Sequence, residues 1–135
     1  MKDWIIKVRN DVPDAPVLVT AGGLLHYFEE NKVISLLRMI GQSGNMEVVF
    51  DTVNKKGMAM MQKKYMKQVG HADAQMFFYV DAAKELAAKI RGNVKVIAEE
   101  PYYRYIPKNG LKLSTKVSMA VSDQFKMVKM IHLKL

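Results

Sequence analysis

The sequence predicts an α/β fold of about four mostly parallel strands, with an antiparallel strand at the C-terminus and helices on the flanks. Three stretches predict it. Val17-Leu18-Val19 is an uninterrupted β-favouring run, apolar at successive positions as in strands covered on both faces. After Gly22-Gly23, the residues Val33, Ile34, Leu36, Leu37 and Ile40 recur at helical spacing. A second apolar run, Glu47-Val48-Val49-Phe50, comes next, so strand, helix and strand form a β-α-β unit whose strands are parallel neighbours.

The elements run in order from the N-terminus. Trp4, Ile5, Ile6 and Val8 sit in a short helix ending near Asn10-Asp11, and Asp11 to Pro16, with two prolines, is a connector. Pro16 precedes the first strand. Glu29 and Glu30 place carboxylates where a helix begins, which its dipole favours. Gly41 to Gly44 closes that helix, and Asp51 closes the second strand. Parallel pairing puts Asp51 at the same sheet end as Gly22 and Gly23, where open α/β sheets bind ligands.

Asn54 is a cap for a helix running to about Val69, stopped by Gly70, with Met58, Met61, Tyr65 and Val69 as its apolar stripe. His71 to Val80 is irregular, and its Phe77, Phe78 and Tyr79 read as cover for the core. Asp81 reads as the cap of a helix over Ala82 to Ile90. Val94, Val96 and Ile97 form a third strand after the Gly92-Asn93 turn. Pro101 to Gly110, with Tyr102, Tyr103, Arg104 and Tyr105, is a loop, and Ser114 or Thr115 begins a short helical turn. Met127 to Leu135 alternates as a last strand, with Lys129, Ile131 and Leu133 on one side.

At 135 residues, 50% hydrophobic and 25% charged, the chain reads as one globular domain over residues 1–135. No run approaches the roughly 18 apolar residues of a membrane span, so no membrane association is expected. The absence of cysteine removes disulfides, thiolate metal ligands and a cysteine nucleophile, and suits a cytoplasmic protein. The net charge of +8 comes mostly from lysines spread along the chain, densest at Lys55-Lys56 and Lys63-Lys64. With no nucleic-acid motif beside them, they read as a solvated surface rather than a phosphate-contacting face. Eleven methionines are many for this length, and Met58, Met60, Met61 and Met66 read as packing.

Metal motifs are absent: His26, His71 and His132 are far apart, and there is no HExxH and no acidic calcium loop. There is also no G-x-S-x-G elbow, P-loop or G-x-G-x-x-G. The first strand leads instead into Ala21-Gly22-Gly23-Leu24-Leu25.

The stretch VLVTAGGLLHYFEE, Val17 to Glu30, resembles the VLVIAEGLLMYFEE signature of the leucine carboxyl methyltransferase and tetracenomycin-type O-methyltransferase family, which includes enzymes of polyketide synthesis. EVVFDT, Glu47 to Thr52, resembles the family's next strand, ELLFDT, and Trp4 matches a tryptophan ahead of the signature. The resemblance spans nearly the whole chain and is most specific in the signature. It implies a Rossmann-like class I methyltransferase half-fold: the family's fourth to seventh strands, without the glycine-rich half that carries most cofactor contacts. It implies an S-adenosylmethionine-dependent O-methyltransferase acting on a carboxylate or hydroxyl of a small molecule, incomplete or inactive alone. Gly22, Gly23 and Leu24 would then contact the cofactor, and Tyr27 and Asp51 the substrate. No residue is assigned to catalysis. Gly22 stands where the family has a glutamate that helps hold the cofactor, and His26 where it has a methionine.

Without strands beside it, the Val17–Val19 edge is a bare apolar association site. The expected partner is a second copy or a complementary N-terminal half, joined through that edge. The alternative function is a non-enzymatic basic interaction module.

Overall fold

The structure, a computed structural model, describes residues 2–68, 75–90 and 92–135. It is an α/β fold built on one mixed sheet. The elements are α1 (Asp3–Asp11), β1 (Val17–Ala21), a 3-10 turn (Leu25–Tyr27), α2 (Glu30–Gln42), β2 (Met46–Val53) and α3 (Lys55–Gln68), followed by α4 (Ala83–Ile90), β3 (Lys95–Pro101), α5 (Leu113–Gln124) and β4 (Val128–Lys134). The strand order is β1-β2-β4-β3. β1 pairs parallel with β2, with Val19 opposite Val48. β4 lies antiparallel between β2 and β3, with Ile131 opposite Phe50 and Glu99. Three strands therefore share a direction and the final strand opposes them.

Burial explains the layers. Along β2 every second residue is buried, so Met46, Val48, Phe50 and Thr52 face one side. Ile131 and Leu133 of β4 share that side. Val33, Ile34 and Leu37 of α2 and Ala83, Leu86 and Ile90 of α4 pack onto it as one core. Each large aliphatic side chain buried this way contributes about 1.5–3 kcal/mol. The irregular stretch before α4 belongs partly to this core. Phe78 is buried with its ring 6.5 Å from that of Phe50, whereas Phe77 and Tyr79 point outward. At the other end of α2, Ile5 of α1 meets Ile40 and Met46. Arg9 fastens α1 to the turn between α2 and β2, donating from Nε to the Ser43 carbonyl at 2.9 Å and from Nη1 to that of Ala15 at 2.7 Å.

β1 is covered on one face only. Val17, Val19 and Ala21 are half-buried, but Leu18 between them is 57% exposed. The uninterrupted apolar run thus has cover on one side among the described residues, where its pattern predicts two.

Several boundaries differ from the sequence reading. The helix after Asp81 starts at Ala83, and its cap comes from the sheet: Glu99 Oε2 accepts from the Ala83 amide at 3.2 Å. Asp81 instead accepts from the amide of Lys55, the first residue of α3, at 3.0 Å. Asn54 does cap α3, accepting from the Gly57 amide at 2.7 Å. Gly57 is required there, because a Cβ would stand 2.4 Å from the Met127 carbonyl oxygen. β3 runs on to Pro101, since pairing with Lys129 holds a segment whose composition reads as loop. The short turn expected near Ser114 is a helix of 12 residues with one buried side chain, Met119, so it offers little apolar periodicity to read. Met60 is exposed rather than packed. Val69, Gly70 and His71 lie outside the described residues, as do the side chains of Tyr65 and Met66.

Candidate functional site

The end of β1 lies beside Phe50, and β2 runs on past Asp51 to Val53 instead of closing at Asp51, because Asp51, Thr52 and Val53 still pair with β4. β1 stops at Ala21, and Gly23 turns the chain with a φ of +63°, a backbone region that favours glycine. Its amide donates to Asp51 Oδ1 at 2.6 Å. The sequence argument that topology brings Asp51 to the glycine pair therefore holds in the structure. Gly22 has ordinary backbone geometry, and a Cβ built on it meets nothing within 4 Å. Open space surrounds both glycines.

The 3-10 turn then carries His26 inward. Its carbonyl accepts from the Phe77 amide at 2.8 Å and from the Phe78 amide at 3.3 Å, which pins the turn to the segment before α4. The imidazole is buried beside the Tyr27 ring, with centroids 4.3 Å apart. Burial pushes the His26 imidazole below its ordinary value near 6.5, while the charge of Asp51 pulls the other way. The result is an imidazole biased to the neutral form within the electrostatic reach of a carboxylate. Tyr27 is exposed next to it. Leu24 diverges from this group and lines a groove of about 820 Å³ along α2, together with Phe28 and Met39. Of the residues singled out from the sequence, Gly23 and Asp51 are in contact, Gly22 precedes Gly23 in the chain, Tyr27 stands beside His26, and Leu24 lines the groove along α2.

Reasoning from sequence missed two groups. His26 stood out only as a departure from a signature. Lys129 looked like one apolar-side residue of a strand, yet it is 1% exposed, with Nζ 2.7 Å from Glu99 Oε1 and 2.7 Å from the Asp81 carbonyl. That ammonium ties β4, β3 and the entry to α4 together. A lysine at an inward position of an alternating strand was the available signal. Among the described residues, no three His, Cys, Asp or Glu side chains are grouped to hold a metal ion. No helix among them is long and apolar enough to cross a membrane.

No protein-family model and no curated protein matches the sequence. The fold does have a counterpart. The crystal structure of a DUF574 family protein from Streptomyces avermitilis MA-4680 superimposes with a TM-score of 0.58 at 9% identity, over 99% of this chain and 52% of the other. At that identity the likeness shows the fold alone. The chain spans about half the length of the protein it matches.

Proposed function

We propose that this chain is the C-terminal half of an S-adenosylmethionine-dependent O-methyltransferase fold, and that it forms one wall of a methyl-transfer site completed by a complementary half in a cytoplasmic setting. The observation that carries the reading is the contact of the Gly23 amide with Asp51, in open space at the strand end where α/β folds bind their ligands. Three co-directional strands with a reversed final strand agree with the fourth to seventh strands that the signature implies. The half-length match to a larger α/β structure agrees as well.

The residues present suit one side of such a site. The open space around Gly22 and Gly23 lets a ligand approach the backbone. Among the described residues only Gly23 donates to the Asp51 carboxylate, which can also accept from a ligand hydroxyl. Tyr27 offers a flat, exposed ring, and neutral His26 behind it a proton acceptor. The donor, when bound, supplies an electrophilic methyl group, and the acceptor is an oxygen nucleophile held against this wall.

Calorimetric titration with S-adenosylmethionine and S-adenosylhomocysteine tests the reading, first with the chain alone and then with any glycine-rich half encoded beside it. Binding that appears or tightens in the pair supports it. A folded pair that binds neither compound overturns it. Steep, salt-sensitive binding to heparin or duplex DNA in place of these ligands would favour a basic interaction module, a reading that the lysine-rich α3 supports.

A further inference from the structure

We infer that the groove between α3 and α5 is a binding site for a free anionic amphiphile, an apolar chain ending in a single carboxylate or similar acid group. The groove encloses about 560 Å³, within the range of small-molecule sites. Gly22, Gly23 and Asp51 do not line it, so the inference stands apart from the methyl-transfer reading.

Both walls are apolar where solvent would allow polar residues. Met60 on α3 is 58% exposed, and Val117 and Val121 on α5 are 54% and 43% exposed. Val117 and Val121 lie one turn apart, so they make a continuous stripe facing the groove. Apolar surface left bare on two facing elements marks a place that something covers.

The rim decides what covers it. Lys63 and Lys64 line the groove, and among the described residues no carboxylate lines it. Helix α3 holds five lysines, Lys55, Lys56, Lys63, Lys64 and Lys67, and no acidic residue. Lys63 and Lys64 come three and four positions after Met60, so they rise from the same helix face as the apolar wall. Lysine stems cover apolar surface while their ammonium groups stay at the water boundary. An apolar body with an acidic head matches both features. A second copy does not, because two lysine rims would face each other in a chain of net charge +8.

The test is calorimetric titration of the full chain with decanoate below its micelle concentration, with decanol as the neutral counterpart and with mixed phosphatidylcholine–phosphatidylglycerol vesicles as a separate arm. The expected result is saturable binding of decanoate at least tenfold tighter than decanol. V117E, at an exposed position, should weaken decanoate at least tenfold with unchanged circular dichroism. If V117E unfolds, M60E on the opposite wall serves in its place. K63E/K64E should reduce decanoate binding to the level of decanol. The inference fails if the folded wild-type chain does not bind decanoate saturably or if decanol binds equally well. It also fails if a folded wall variant keeps full affinity, or if vesicles bind while free decanoate does not.

Discussion

The amide of Gly23 and the carboxylate of Asp51 meet at 2.6 Å, so the turn that ends β1 is held by a residue near the end of β2. The bond is exposed to solvent, which limits its net worth to about 1 kcal/mol. Asp51→Ala should lower the unfolding free energy by about that much in urea titrations. It should also raise hydrogen exchange at Gly23 and its neighbours. Exchange at wild-type rates would show that the carboxylate does not hold the turn.

The two glycines after β1 should respond differently to substitution. Gly23 has a φ of +63°, and any Cβ there costs about 1–2 kcal/mol. Gly22 has neither positive φ nor a neighbour within 4 Å of a built Cβ. Gly23→Ala should therefore lower the melting temperature clearly, while Gly22→Glu, which restores the signature's carboxylate, should leave it nearly unchanged. If the proposed function is right, Gly22→Glu also tightens binding of S-adenosylmethionine in the completed site. Equal melting losses for the two variants would contradict the backbone geometry.

Lys129 and Glu99 form an unequal pair. The ammonium is almost fully buried, while the Glu99 side chain keeps 28% of its exposure. Removing the carboxylate strands a buried charge, a change that costs about 3 kcal/mol or more. Removing the lysine leaves a carboxylate that water reaches and that still accepts from the Ala83 amide. Glu99→Ala should thus destabilise more than Lys129→Met, and the double variant should recover part of the loss. Urea titrations of the three variants check the order, and a reversed order would refute this account of the pair.

Why some of this was legible and some was not has a physical basis. The β1–α2–β2 unit was readable because its apolar spacing and glycine breaks are local, and parallel pairing follows from the connection. Asp51 reached the glycine turn through that topology alone. The cap of α4 was misread because its acceptor, Glu99, arrives from a strand 16 positions away in sequence, and no local pattern records that. The length of α5 was missed because Met119 is its one buried side chain. Lys129 reads only as one residue on the apolar side of the last strand, because Glu99 and Asp81, which enclose its ammonium, come from elements distant in sequence.

His26 sets a pH dependence. Its folded pKa lies below the ordinary value near 6.5, because burial disfavours the imidazolium more than Asp51 favours it. The folded state then binds fewer protons than the unfolded state as pH drops past that value. Stability is full above about 6.5 and is lost as pH falls through the folded pKa. Melting temperature should decline between pH 7 and pH 5, and His26→Gln should flatten that decline. An unchanged slope in the variant would place the titration elsewhere.

The open edge of β1 leads to a prediction about association. Its sequence, Val17 to Ala21, contains no charge and no proline, the features with which edge strands usually protect themselves. Leu18, 57% exposed, adds apolar surface beside an edge that is unpaired among the described residues. Net charge opposes self-association at long range, but a strand edge offers backbone bonds that salt screening leaves intact. The chain, 15.4 kDa as a monomer, should therefore scatter light as a dimer at micromolar concentration in moderate salt when no complementary half is supplied. Two β1 edges meeting antiparallel around a two-fold axis would close such a pair. Leu18→Lys should shift it toward monomer by at least tenfold in dissociation constant. A complementary half should compete for the same edge and abolish the dimer. A monodisperse wild-type monomer at micromolar concentration would mean that β1 protects itself, and the case for a partner strand at that edge would fall.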